Sequence, residues 1–162
     1  MSESAHAGID ASATISSLRH LVHLAPPIVE STAGLATLAR AVAADPTAAM
    51  AFVVDHEARL LGVVRRRDLD MHLLALAWPR VAARRVAASD QRDLLAWARG
   101  DGVKAQDLMT RVSAVRSDDL VIPAVEHAID DGVDAIVVVE KGGRLIGYIS
   151  VLELLVSGLA PG

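Results

Sequence analysis

The chain has 162 residues, 52% of them hydrophobic, with 16 basic against 20 acidic side chains and a net charge of −4. That length and apolar fraction suit a compact chain with a real core and exclude intrinsic disorder. The absence of cysteine excludes disulfide and thiolate chemistry. The negative balance gives no general attraction to nucleic acid or anionic membrane, and two Trp, one Tyr and one Phe are too few for a base-stacking platform. No apolar run approaches the roughly 18 residues of a membrane span and no signal-peptide pattern opens the chain, so a cytoplasmic protein is expected.

In chain order, residues 1–25 read as a polar tail followed by a short amphipathic helix, with Ile15, Leu18, Val22 and Ala25 at helical spacing. His20 and His23 lie three apart on it, but no acidic or thiol partner follows them, and no metal site is expected. Pro26-Pro27 ends the helix. Ile28-Val29 reads as a short strand, and Ser31 or Thr32 as the cap of a helix over 34–44. Asp45-Pro46 stops that helix, and two strands follow over 49–54 and 59–64 around the turn Asp55-His56-Glu57-Ala58. The helix after the second strand is expected to reach Trp78, where Pro79 ends or kinks it. The connection 71–102 is too long for a bare loop, so a second linker helix is placed from Ser89 to Gly100, carrying Trp97. Beyond it, Asp107-Leu108-Met109-Thr110 leads into a strand over 112–115, Ser117-Asp118-Asp119 opens a helix to about Asp131, and Gly132 supplies its left-handed C-cap. Strands over 134–139 and 144–149 flank the tight turn Lys141-Gly142-Gly143, and Ser150 caps the last helix with Glu153 at capping-box spacing.

The second half repeats the first. Gly62 matches Gly147 and Asp68 matches Glu153 at one offset of 85 residues, and the same offset aligns Leu35 with Leu120, Val53-Val54 with Val138-Val139, and Arg59-Leu60 with Arg144-Leu145. Two copies predict a pseudo-twofold pair of α/β units rather than a solenoid, which needs at least three.

These residues resemble a known family. Each copy looks like a cystathionine-beta-synthase (CBS) domain, and the two together look like a tandem CBS pair, or Bateman module. The resemblance rests on Asp107-Leu108-Met109-Thr110, on the hairpins carrying Gly62 and Gly147, and on a glycine-x-x-Thr/Ser-x-x-Asp signature. It divides the chain into a tail and helix (1–25), a first repeat (26–70), a helical linker (71–102) and a second repeat (103–162), with β-α-β-β-α order in each repeat. It implies a regulatory module that binds an adenosine-containing ligand in the cleft between repeats, with AMP, ADP or ATP as candidates, and that forms a homodimer.

In such a site, Asp68 and Glu153 would accept from ribose hydroxyls, while Arg65, Arg66 and Ser150 would lie near phosphate, helped by helix N–H groups. Ile28, Val29, Ala114, Val115 and Ala135, on the short leading strands and the head of a central strand, would line the adenine slot. The signature departs from the family at two places. Arg65 stands at the Thr/Ser position of the first copy, and the acid of the second is Glu153, one methylene longer than the signature's Asp. Three cations, Arg65 to Arg67, at a helix start conflict with the helix dipole and so favour an anionic partner. Asp68 also has local alternatives in Arg65 and His72 on its own helix face, and Glu153 in simple capping.

Three classes of function are set out by these features. The favoured one is a sensory module that binds a nucleotide and signals to a protein partner of unknown identity. The second is a structural or dimerisation module without ligand, which the altered signature supports. An enzyme is not expected: there is no metal-ligand cluster, nucleophile elbow or Gly-rich phosphate loop, and no cofactor is required.

Overall fold

A computed structural model describes residues 9–77 and 102–159. The second linker helix, Trp78 and Trp97 therefore lie outside the described residues. The fold is mixed α and β, with two small three-stranded sheets, each built by one copy of the repeat. The first sheet contains β1 (Ile28–Glu30), β2 (Met50–Val54) and β3 (Leu60–Arg65), with helices α1 (Leu35–Ala43) and α2 (Arg66–Ala77). The second contains β4 (Ala114–Val115), β5 (Ala135–Val139) and β6 (Leu145–Ser150), with helices α4 (Val121–Asp130) and α5 (Val151–Leu159). A short helix α3 (Ala105–Leu108) and a 3-10 helix (Ile15–Leu21) precede the second and first repeats, respectively.

The copies agree rung by rung. β1 and β4 run parallel to the central strands β2 and β5, which pair antiparallel with β3 and β6. Met50 faces Arg65 as Ala135 faces Ser150, and Val53 faces Gly62 as Val138 faces Gly147. Both hairpins carry their irregularity at the same rung, between Val53 and Val54 and between Val138 and Val139. The leading strands and the starts of the following helices are 86 apart instead: Ile28 corresponds to Ala114 by pairing and α1 starts at Leu35 as α4 does at Val121, so the first copy has one extra residue between helix start and central strand. Both central strands are buried at all five positions, which is why MAFVV and AIVVV read as continuous apolar runs. Each fully buried Val or Ile contributes about 1.5–3 kcal/mol.

The compact units do not follow chain order. Among the described residues, those between Pro27 and Arg111 form one, and those up to Pro26 and from Val112 onward form the other. The segment before each repeat thus packs within the unit built on the opposite repeat. In the first unit, Thr110 and Val63 exchange both backbone hydrogen bonds (2.8 and 2.9 Å). Ala105 and Gln106 N–H groups donate to the carbonyls of Ala33 and Ser31 (2.8 and 3.0 Å). In the other unit, His23 and Tyr148 exchange both bonds (2.8 and 3.3 Å), and Ile15 and Ser16 donate to the carbonyls of Asp119 and Ser117 (3.0 and 2.8 Å).

These leader segments explain where the helix starts differ from expectation. Ser117-Asp118-Asp119 forms a turn, in which Asp119 Oδ2 accepts from Arg116 N–H at 2.7 Å. Helix α4 begins only at Val121, whose N–H donates to Ala13 O at 2.9 Å. Likewise α1 is entered through Gly34, without a side-chain cap, because the backbone at Ser31 and Ala33 is engaged by the segment before repeat 2. The leader before repeat 1 is a 3-10 rather than an α-helix, kinked at Leu18. Gly132 does adopt the left-handed conformation expected after α4 (φ 68°).

The Asp107-Leu108-Met109-Thr110 stretch is accounted for by the same packing. Asp107 Oδ2 accepts from Lys104 N–H at 2.8 Å at the start of α3. Leu108 and Met109 pack against the core of Val29, Leu38, Val42, Ala51, Val53, Val64, Leu69 and Ala105.

Candidate functional site

In both units the last strand of the sheet runs straight into a helix: Arg65 ends β3 before α2, and Ser150 ends β6 before α5. Asp68 and Glu153 are each the third residue of their helix, in the first turn, where a carboxylate complements the free N–H groups of the helix start.

The glycines three positions before this junction keep it close to the leader segment. A Cβ on Gly62 would stand 2.6 Å from the backbone oxygen of Thr110, and one on Gly147 would be closer still to the backbone oxygen of His23. Any other residue would push the leader off the strand edge. The signature glycine is thus required by a backbone approach within the unit, and its presence does not by itself depend on a ligand.

The carboxylates have different partners. Asp68 Oδ2 accepts from Arg65 Nε at 2.7 Å, with Arg67 Nε 3.7 Å from Oδ1. The ring of His72 bonds the backbone carbonyl of Asp68 at 2.9 Å. Arg65, at the Thr/Ser position of the signature, therefore supplies an internal cation to the acid three residues later. In the second unit Glu153 Oε2 meets His23 Nε2 at 2.7 Å, and the His23 ring stacks on Tyr148 at 4.7 Å between centroids and 12° between planes. Ser150 Oγ accepts from Glu153 N–H at 3.4 Å, which is half a capping box, the carboxylate having turned to the histidine.

The other sequence-derived candidates are placed as follows. Arg66 Nη1 donates to the carbonyls of Pro46 and Ala48 (2.9 and 3.3 Å), fastening the start of α2 to the connection before β2. Ile28 is exposed and Val29 buried on β1, and Ala114 and Val115 repeat that alternation on β4. Ala135 is buried and pairs directly with Ser150. Each unit therefore brings its acid, the residue at the Thr/Ser position and the head of its central strand to one end of its sheet. His23 and Tyr148 were not foreseen as part of this constellation. Among the described residues no group of three or more His, Cys, Asp or Glu side chains is arranged to hold a metal ion.

Fold and site define a class: paired β-α-β-β-α units with an acid in the first turn of the helix that closes each one. Residues 105–158 match the family model of the CBS domain, and the chain is a tandem CBS pair in fold. A CBS domain-containing protein from Thermotoga maritima superposes with a TM-score of 0.67 at 18% identity, covering 90% of this chain and 94% of that one. The CBS domain pair of MJ0100, solved with 5′-methylthioadenosine and S-adenosyl-L-methionine, gives 0.61 at 15% identity over 91% and 98% of the two chains. CBSX2 of Arabidopsis thaliana, solved with AMP, gives 0.59 at 21% identity over 90% and 96%. The sequence has no detectable match among curated proteins.

Proposed function

We propose that this chain is a regulatory module that binds an adenosine-containing nucleotide and passes its occupancy to a protein partner, with no catalysis of its own. The observation that carries the reading is the repeated strand–helix junction, which sets Asp68 and Glu153 at the same place in two units. Two structural neighbours were solved with adenosine compounds, which supports the ligand class. Asp68 and Glu153 accept from ribose hydroxyls, and Arg65, Arg66 and Ser150 lie toward phosphate. Ile28, Val29, Ala114, Val115 and Ala135 supply apolar and backbone surface for the base. Among the described residues no helix is long and apolar enough to cross a membrane, and a cytoplasmic setting is part of the proposal.

The proposal includes a homodimer. On α5, Leu152, Leu155 and Val156 are 70%, 48% and 59% exposed and share one helix face, and α2 exposes Leu76. Sedimentation at tens of micromolar is expected to show a dimer that Leu152→Glu or Val156→Glu dissociates. Only monomer in the wild type would remove this part of the reading.

The Arg65–Asp68 ion pair and the His23–Glu153 contact favour one alternative, a ligand-free structural or dimerisation module in which both acids have partners within the chain. Calorimetry with AMP, ADP and ATP separates the two. A nucleotide module binds one of them more tightly than millimolar, and Asp68→Ala and Glu153→Ala each weaken it tenfold to a hundredfold, the worth of a charge-assisted hydrogen bond of about 1.5–3 kcal/mol. Binding no tighter than millimolar, or variants that bind like the wild type, leaves the structural module.

A further inference from the structure

The leader before repeat 1 is fastened to its unit at two places. Ile15 and Ser16 are held by the carbonyls of Asp119 and Ser117, and His23 is held by Tyr148. Between these fastenings the 3-10 helix and the sheet border a half-open cavity of about 450 Å³, within the range of small-molecule sites. Val22, Val138 and Ile146 give it apolar walls, while Ser16, Ser117 and Arg19 supply its polar groups.

The cavity is separate from the signature junction. Val138 pairs with Gly147, three rungs along the ladder from the Ala135–Ser150 pair, or roughly 10 Å at about 3.3 Å per residue.

Its lining chemistry is selective. Arg19 is the only charged lining residue, and among the described residues no carboxylate pairs with it. A lining that contains one arginine and two serines suits a carboxylate, which a guanidinium can meet through two parallel N–H donors. No aromatic ring lines the cavity, so nothing there stacks a base, and no second cation offsets a dianion. The remaining wall is aliphatic. The Ser16 hydroxyl shares one bond with Thr14 Oγ1 at 2.9 Å and retains capacity for another. Because both ends of the leader are pinned by backbone hydrogen bonds, the walls are set before a ligand arrives, which lowers the ordering cost of binding.

We infer that this cavity is a second binding site, for a small amphiphilic monocarboxylate whose carboxylate meets Arg19 and the Ser16 and Ser117 hydroxyls and whose aliphatic tail lies against Val22, Val138 and Ile146. The inference does not depend on nucleotide binding elsewhere.

The test is a titration of the full-length chain with octanoate, followed by amide chemical shifts, with octylammonium and inorganic phosphate as comparison probes. Saturable shifts are expected at Ser16, Arg19, Ser117 and Val138 with octanoate alone. Arg19→Gln should weaken octanoate about tenfold to a hundredfold. Val22→Phe, which fills the cavity and leaves Arg19 in place, should abolish binding. Either variant is scored only if its melting curve shows a folded chain, and otherwise the three probes on the wild type decide. The proposal is overturned if octanoate gives no saturable shift at these residues up to millimolar concentration. It is equally overturned if octylammonium or phosphate matches octanoate, or if a folded Arg19→Gln chain binds octanoate like the wild type.

Discussion

The two repeats share every rung of their hairpins and differ in how each signature acid is answered. In the first, Asp68 is met by Arg65 from its own strand end, three residues away. In the second, Glu153 is met by His23, which lies 130 residues earlier in the sequence and also stacks on Tyr148. The first arrangement is local and survives any shift of the leader. The second exists only while the leader stays paired with β6. One backbone plan thus supports a short-range and a long-range solution to the same problem, a carboxylate in the first turn of a helix. The hairpin turns differ in the same sense. Repeat 1 closes its turn with charge, Asp55 accepting from Arg59 Nε at 2.8 Å, whereas repeat 2 uses Gly142 and Gly143 at φ 105° and 89°.

The comparison breaks first at the glycines. Gly147→Ala places a Cβ against the His23 carbonyl and should cost about 3 kcal/mol or more, as severe overpacking does. Gly62→Ala, against Thr110, should cost somewhat less. Urea melts of both variants measure this, and wild-type stability in either would show that the leader approach does not constrain the strand edge. If the leader is displaced in Gly147→Ala, the His23–Glu153 pair should be lost with it, while Arg65–Asp68 is retained.

A smaller difference lies at the next position. Arg66 fastens α2 to the carbonyls of Pro46 and Ala48, and its counterpart by the repeat offset, Val151, has no such side-chain donor. Arg66→Ala should destabilise the chain by about 1 kcal/mol, whereas Val151→Ala should lose only the packing of a half-buried side chain. Denaturant titration of both separates these effects, and equal losses would remove the distinction.

The smallest effect is expected in acid. The Arg59 backbone N–H holds the Asp55 carboxyl below its ordinary range, assisted by the Arg59 side chain and the Glu57 N–H. Since its folded-state value is lowered, its contribution to stability is present above the unfolded carboxyl pKa and disappears as pH falls through the folded one. Asp55→Asn should therefore narrow the stability difference between neutral and acid conditions, read from melting temperatures across that range. An unchanged pH dependence would mean that the turn charge does not matter.

The repeat, the hairpins and the continuous apolar central strands were legible because burial on both faces leaves a direct record in the sequence. The helix starts were less legible. Ser31, Thr32 and Ser117 carry good capping chemistry, but leader segments distant in sequence take up the backbone groups near them, and α1 and α4 are entered through Gly34 and Leu120 without a side-chain cap. Arg65 as a partner of the Asp68 carboxylate could be read from the three-residue spacing, whereas His72, the other candidate, meets the Asp68 backbone carbonyl. His23 could not, because nothing local connects it to Glu153 or Tyr148. His23 corresponds to Thr110 only through the pairing, His23 bridging Tyr148 as Thr110 bridges Val63; the two are 87 residues apart and so fall outside the 85-residue match.

The central claim is that both strand–helix junctions are nucleotide contacts, and an AMP titration of the full-length chain followed by amide chemical shifts tests it most directly. The account predicts saturable shifts centred on residues 65–68 and 150–153, reduced in Asp68→Ala and Glu153→Ala. No saturable shift at either junction up to millimolar AMP, or shifts that both variants leave unchanged, would contradict it.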